Sequence, residues 1–223
     1  MKSNLDIEDI FTTLGPIRTM EKLVTLLVYF HAALGGIALL SGLVALSVKK
    51  GKIVHRKAGN VFFYSMCLSA LIAIVISLLP EHTNLFLNGI AIITLYSLLK
   101  GWRALLLKNK PTDFTIDKLA CGLLFLVGLG LLGFSALHEW NIVSLSFAGM
   151  SLFFSVRDFF SYRKPEELYK NWLKIHLGNM IGGYIAAVTA FVVVNQFFPS
   201  FWGWFAPTLM GVPYILYWNR RLK

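Results

Sequence analysis

Five histidines, His31, His55, His82, His138 and His176, are the residues of this chain best suited to chemistry. Imidazole ligates zinc or haem iron and changes charge near neutral pH. On a helical wheel His31 shares a face with Gly35, Ala38 and Gly42, and His176 shares one with Met180, Gly183, Ala187 and Ala190. Both faces join one imidazole to a strip of small residues. Such a strip admits either a flat cofactor such as haem b, held by imidazoles from two helices, or the backbone of a neighbouring helix. A helix extended back to Ile53 adds a third such face, with His55, Gly59, Phe62 and Met66.

Other constellations compete with these. Glu81-His82 and His138-Glu139 sit in two short polar segments and, with His31, would supply nitrogen and oxygen ligands of the kind zinc takes. Lys100, Arg103 and the Arg157-Asp158 pair end apolar runs, where the cations either snorkel, with Asp158 in a local ion pair, or line a vestibule for an anion such as haem propionates or an acidic substrate. Asn88, Thr94, Asn179, Thr189 and Asn195 add scattered polarity without a continuous acidic path. Cys67 and Cys121 lie inside apolar runs and form no disulfide framework. No CxxC, Walker loop, HExxH or HxxxH is present.

The elements that must position these residues are membrane spans. Of the 223 residues 57% are hydrophobic and 14% charged, an excess that a lipid solvent explains. A helical span needs roughly 20 apolar residues. Seven stretches qualify: Val24–Val48, Ala58–Leu79, Leu85–Leu107, Leu119–Leu137, Ile142–Phe160, Trp172–Gln196 and Trp202–Trp218. The expected fold is therefore all-α, a polytopic seven-helix transmembrane bundle over residues 24–218.

Charge gives the expected orientation. Lys49 to Lys57, Lys100 to Lys118, Arg157 to Lys174 and Arg220 to Lys223 hold 18 of the 21 Lys and Arg, and alternate spans put them all on one side. Lys2, Arg18 and Lys22 fall on the other. The positive-inside rule then puts the N-terminus outside and the C-terminus in the cytoplasm, with residues 219–223 a basic cytoplasmic tail. Aromatic residues at span ends agree: Trp102, Tyr162, Trp172, Tyr217 and Trp218 inside, Trp140, Trp202 and Trp204 outside. The net charge of +10 flanks spans and forms no separate basic module, which favours anionic headgroups over nucleic acid as its partner. Residues 1–23 lack the pattern of a cleavable signal. They carry Ile7, Ile10, Phe11 and Leu14 at amphipathic spacing, ended by Gly15-Pro16, so a short helix on the outer surface is expected. Pro207, Gly211 and Pro213 are expected to bend the seventh span.

On this layout the histidines form two layers. His55 and His176 are near the inner face; His31, His82 and His138 are towards the outer face, with His31 deeper than the other two by about a turn or two. An inner pair is geometrically sound and an outer pair is looser.

The segments HAALGGIALLSG from His31, HRKAGN from His55 and WLKIHLGNMIGGYIAAVTAFVVVN from Trp172 resemble a bacterial family of predicted integral membrane proteins, the domain of unknown function DUF2306. The likeness runs from the first span to the seventh and implies a multi-pass protein of the cell membrane, the inner membrane in bacteria. It implies no catalytic residues. More distantly, a histidine before a glycine strip and another at a span end are similar to two-haem b-type transmembrane cytochromes, though this chain lacks four histidines paired at matching depths. That likeness implies electron transfer with a quinone or other redox partner. The expected roles are His55 and His176 as ligands of an inner haem, His31 in an outer site, and Lys100, Arg103 and Arg157 as anion contacts. The alternatives are a transporter, sensor or accessory protein with structural histidines, and a zinc-dependent membrane hydrolase using His82 and His138.

Overall fold

In hydrocarbon no water is present to satisfy a backbone amide or carbonyl, so each apolar run closes its own hydrogen bonds as a helix. The computed structural model describes residues 7–109, 111–199 and 201–222, with side chains from Met20 onward. The elements are α1 (Ile7–Ser47), α2 (Ile53–Ile76), α3 (Leu85–Arg103), a 3-10 turn (Leu106–Asn109), α4 (Thr115–Leu137), α5 (Ile142–Ser161), α6 (Pro165–Lys170), α7 (Trp172–Val194) and α8 (Trp202–Arg221). No strand occurs among the described residues.

Among the described residues six helical segments are long and apolar enough to cross a membrane: Met20–Ser47, Ile53–Ile76, Leu85–Asn109, Thr115–Leu137, Ile142–Ser161 and Trp172–Val194. They coincide with the first six expected spans. The seventh, α8, is a helix of 20 residues with Pro207 and Pro213 inside it, and its Gly, Pro, Asn and Arg content dilutes its apolar character. At the N-terminus the expected break does not occur. Helix α1 continues through Gly15 and Pro16 into the first span, as a helix can when a proline removes only one of its hydrogen bonds. Residues 1–6 and the side chains of Ile7, Ile10, Phe11 and Leu14 lie outside the described set.

Successive helices run in opposite directions, so their ends gather into two faces. At one end, starts and finishes of α3, α4, α5 and α8 meet through Phe86, Phe134, Phe147 and Trp204, whose ring centres lie 5.4–6.3 Å apart. The connectors at this far end turn through non-glycine residues with positive φ: Glu81, Glu139, Trp140 and Gln196. Two of the helices that leave these turns are capped, α3 by Asn84 Oδ1 accepting from Leu87 N at 3.0 Å, and α5 by Asn141 Oδ1 accepting from Val143 N at 3.0 Å. At the other end lie the basic connectors. There Lys50 approaches the Trp218 ring, Lys108 approaches Trp172, and Thr112 N donates to the Tyr169 hydroxyl.

Helix α3 is the centre of the bundle. It packs on α2, α4 and α7, while α1 lies against α2, α5 against α4 and α8 against α7. The close approaches are made at glycines. A methyl at Gly42 would fall 2.5 Å from the Tyr184 ring, and one at Gly183 would fall 2.8 Å from Leu98. At Gly128 on α4 it would meet the Leu152 side chain at 2.8 Å and the Leu152 backbone nitrogen at 3.1 Å. Backbone cannot step aside as a side-chain tip can. Gly128→Ala is therefore expected to lower the thermal unfolding midpoint in detergent, at an overpacking cost of about 1–3 kcal/mol. Gly133→Ala, whose methyl meets nothing within 4 Å, should leave the midpoint unchanged or raise it, since alanine is the better helix former by about 1 kcal/mol. Equal effects at the two positions would contradict this account of the α4–α5 contact.

Candidate functional site

The buried face of α5 carries Ala148, Ser151, Ser155 and Asp158, spaced by three and four residues and therefore stacked on one side. Small side chains let α4 lie close, and Cys121 Sγ donates to the Ser155 carbonyl at 2.8 Å. That approach carries Asp158 into the bundle, where it is 2% exposed. A carboxylate there must be paired, because hydrocarbon offers it nothing.

Helix α3 supplies the partners. Tyr96 and Lys100 sit one turn apart, and both reach the same carboxylate oxygen: Tyr96 Oη donates to Asp158 Oδ2 at 2.5 Å, and the Lys100 ammonium forms an ion pair with it. The other oxygen, Oδ1, accepts from Arg157 Nε at 3.0 Å and Nη2 at 2.8 Å. Lys100 is 8% exposed, whereas the Arg157 side chain is 53% exposed and lies over the Phe154 ring. One anion thus holds a buried and a peripheral cation.

A second pair lies one turn nearer the basic end. Arg103 Nε and Nη2 both donate to Asp117 Oδ2, at 2.9 and 2.7 Å, and Nη2 also donates to the Asp113 carbonyl at 2.7 Å. Asp113 stands in the connector, where its carboxylate accepts from the Thr115 hydroxyl and amide. Those bonds favour its charged form and hold the carboxyl below its usual range. Between the two ion pairs is a small void bounded by Lys100, Arg103, Asp117 and Tyr162, about large enough for one water. Phe114 and Leu168 also line it.

Lys100, Arg103 and Arg157, expected as contacts for an external anion, are thus engaged by the protein's own carboxylates. Asp117 and Tyr96 are the members sequence reading missed. Asp117 lies in the first turn of α4, just before the expected start of that span at Leu119 and so outside the expected span. Tyr96 sits mid-span with no local signal. Its spacing of four from Lys100 was the available clue.

The histidines are held by backbone carbonyls of neighbouring segments. His31 Nδ1 is 2.9 Å from the Ser69 carbonyl of α2, and the Ser69 hydroxyl donates to the His31 carbonyl at 3.0 Å. His176 Nδ1 is 2.8 Å from the Gly101 carbonyl of α3, next to Lys100. His55 Nδ1 is 2.9 Å from the Ala45 carbonyl. Lys50 and the Tyr214 hydroxyl bond the Leu46 carbonyl, so three side chains close the end of α1. Since a carbonyl only accepts, a proton is assigned to Nδ1 in each ring. No partner for any of these three Nε2 atoms exists among the described residues.

His55 and His176 both lie at the basic end, each on a carbonyl of a different helix, Ala45 of α1 and Gly101 of α3. The other three histidines sit apart. His31 lies level with Ser69, His82 lies beyond the end of α2 and bonds its local Pro80 carbonyl, and His138 stacks on Phe134 at 4.0 Å. Among the described residues no three His, Cys, Asp or Glu side chains converge, so the zinc arrangement of His31, His82 and His138 is not formed. The glycine strips that shared faces with His31 and His176 are filled: Tyr184 and Phe62 lie against Gly42, and Leu98 lies against Gly183.

The energetic consequence is testable. Removing one partner of a buried ion pair costs about 3–5 kcal/mol because it leaves the other uncompensated, whereas replacing both can be nearly neutral. Asp158→Asn and Lys100→Met are each expected to destabilise the bundle by that order, with Lys100→Met/Asp158→Asn far less harmful than their sum. Arg157→Gln should cost under about 1 kcal/mol. Additive single effects in a double-mutant cycle would show that the pair is not coupled.

No curated protein and no solved structure matches the chain. Residues 28–117 match the model of a family described as "Predicted membrane protein (DUF2306)", a stretch that begins in the first span and ends at Asp117 of the Arg103 pair.

Proposed function

We propose that the chain is a non-enzymatic membrane protein of the transporter or sensor class, whose state is set by protonation of the Asp158–Lys100–Tyr96 cluster. The observation that carries this is the burial of Asp158 and Lys100 within spans α5 and α3. Ionisable groups in a span are costly to keep and mark ion or proton pathways when they face the bundle interior. A proton delivered to Asp158 removes the charge that holds both Lys100 and Arg157, and so loosens α3 from α5. A small void lined by Lys100, Arg103 and Asp117 lies beside this cluster.

The finer topology belongs to the same proposal. Helix α8 extends from Trp204 in the far-end aromatic cluster to Trp218 beside Lys50, the same depth as its neighbours, which supports a seventh span. Basic connectors at a single end support an N-terminus outside, a C-terminus in the cytoplasm and a place in the cell membrane.

A haem b reading, with a quinone or redox partner, draws on the free Nε2 atoms of His55 and His176. Proton-bearing Nδ1 on a carbonyl is the usual second contact of an iron-bound imidazole, and haem held there would supply one-electron transfer. Against it stands Leu98, which fills the strip of His176 at Gly183, although nothing lies within 4 Å of a methyl at Gly59 on the His55 face.

The test is a pH titration of tryptophan fluorescence in lipid nanodiscs, with Trp102 and Trp172 as nearby reporters. A transition is expected in the wild type and absent in Asp158→Asn; a wild type that is invariant with pH overturns the proposal. Proton flux into liposomes carrying an entrapped dye then separates transporter from sensor. A Soret band on haem supplementation, lost in His176→Ala, would favour the haem reading instead.

A further inference from the structure

The cations of the basic end are unevenly matched by acids. All five side-chain carboxylates of that end, Asp113, Asp117, Asp158, Glu166 and Glu167, lie between α3 and the first turn of α4 or between the end of α5 and α7. There they meet their counter-charges, as in Arg103–Asp117, Lys100–Asp158 and Lys164–Glu167. The α1–α2 connector and the start of α2 carry Lys49, Lys50, Lys52, Arg56 and Lys57 with no acidic residue, and the end of α8 adds Arg220 and Arg221, again with none.

The fold joins these two segments into one corner. Tyr214 of α8 donates to the Leu46 carbonyl at 3.3 Å, and Lys50 Nζ lies 5.6 Å from the centre of the Trp218 ring. Lys49, Lys52, Arg56, Lys57, Arg220 and Arg221 are exposed, and none enters an ion pair among the described residues. Beneath them Trp218 Nε1, a donor, is buried without an acceptor. Six unmatched cations at the end of a membrane bundle repel one another unless anions come from outside the chain. At that depth the available anions are lipid phosphates.

We propose that this corner, between the α1–α2 connector and the end of α8, is a binding surface for the headgroups of anionic phospholipid. Exposed lysine and arginine clusters beside a span attract anionic headgroups, and Trp218 and Tyr217 are residues of the headgroup layer. The α3–α4 and α5–α7 connectors are not equivalent surfaces, because their carboxylates already neutralise much of their charge. The proposal is independent of the proton-responsive reading of Asp158.

It is tested by native mass spectrometry of lipid retained after exchange into mixed micelles of phosphatidylglycerol and phosphatidylcholine. Wild type is expected to keep phosphatidylglycerol in preference by at least about tenfold. Lys49→Gln/Lys52→Gln/Arg56→Gln/Lys57→Gln should lose that preference. The control Arg163→Gln/Lys164→Gln/Lys170→Gln/Lys174→Gln, with the same charge removed, should keep most of it. Unchanged retention in the corner variant, or equal loss in both variants, would overturn the assignment. So would displacement of the lipid by inorganic phosphate alone, which would mark a site for a free anion. All substituted positions are on connectors or helix ends, and circular dichroism checks that both variants keep their helices.

Discussion

A carboxylate cannot remain charged in hydrocarbon without partners, and the arrangement of the bundle follows from how Asp158 obtains them. Its two oxygens are shared among a phenol, an ammonium and a guanidinium drawn from α3 and from α5 itself. Two of those three groups lie on α3, so the rotation and height of α3 relative to α5 are fixed by the need to keep them there. The small residues of α5 make the approach possible. The charge makes it specific. Apolar packing alone, against lipid that is as apolar as the core, would leave helix rotation weakly determined.

From this centre the remaining contacts read outward. Gly101, next to Lys100, gives its carbonyl to His176 and so ties α7 to the same turn of α3. Arg103, one turn further, clamps the beginning of α4 through Asp117 and the Asp113 carbonyl. Helices α1 and α2 join by a separate device, the His31–Ser69 exchange, with His55, Lys50 and Tyr214 closing the end of α1. Three of the five histidines therefore serve as ties between segments. An imidazole does this well because it places a donor at fixed geometry on a carbonyl of another helix.

Much of this was legible in the chain. Apolar runs of the right length, separated by alternately basic and nearly neutral connectors, gave six helices whose limits agree within a few residues with those observed, and the extension of α2 back to Ile53 placed His55 correctly. Helical spacing also identified the faces of His31 and His176. What it could not decide was what filled them. A strip of small residues has the same pattern whether a cofactor or a tyrosine ring lies against it, and the answer, Tyr184 over Gly42, depends on a helix more than a hundred residues away. For the same reason Lys100, Arg103 and Arg157 read as open contacts. Their partners are non-local, apart from Asp158 beside Arg157, and pairing across helices leaves no trace in local spacing. The continuity of α1 through Gly15-Pro16 shows the opposite error, a local stop signal overridden within a long helix.

The far-end connectors bear on how the molecule can move. Each turns through at least one non-glycine residue in the left-handed region, Glu81, Glu139 with Trp140, or Gln196, a conformation that few side chains tolerate and that leaves little slack. Helices joined this way are pinned at their tips, and the aromatic contacts of Phe86 with Phe134, Phe147 and Trp204 bind the same tips sideways. Any spreading of the bundle therefore pivots about that end, as the blades of tongs swing from their joint. The widest excursion falls at the opposite rim, beside the ion pairs and the unmatched cations of the α1–α2 corner.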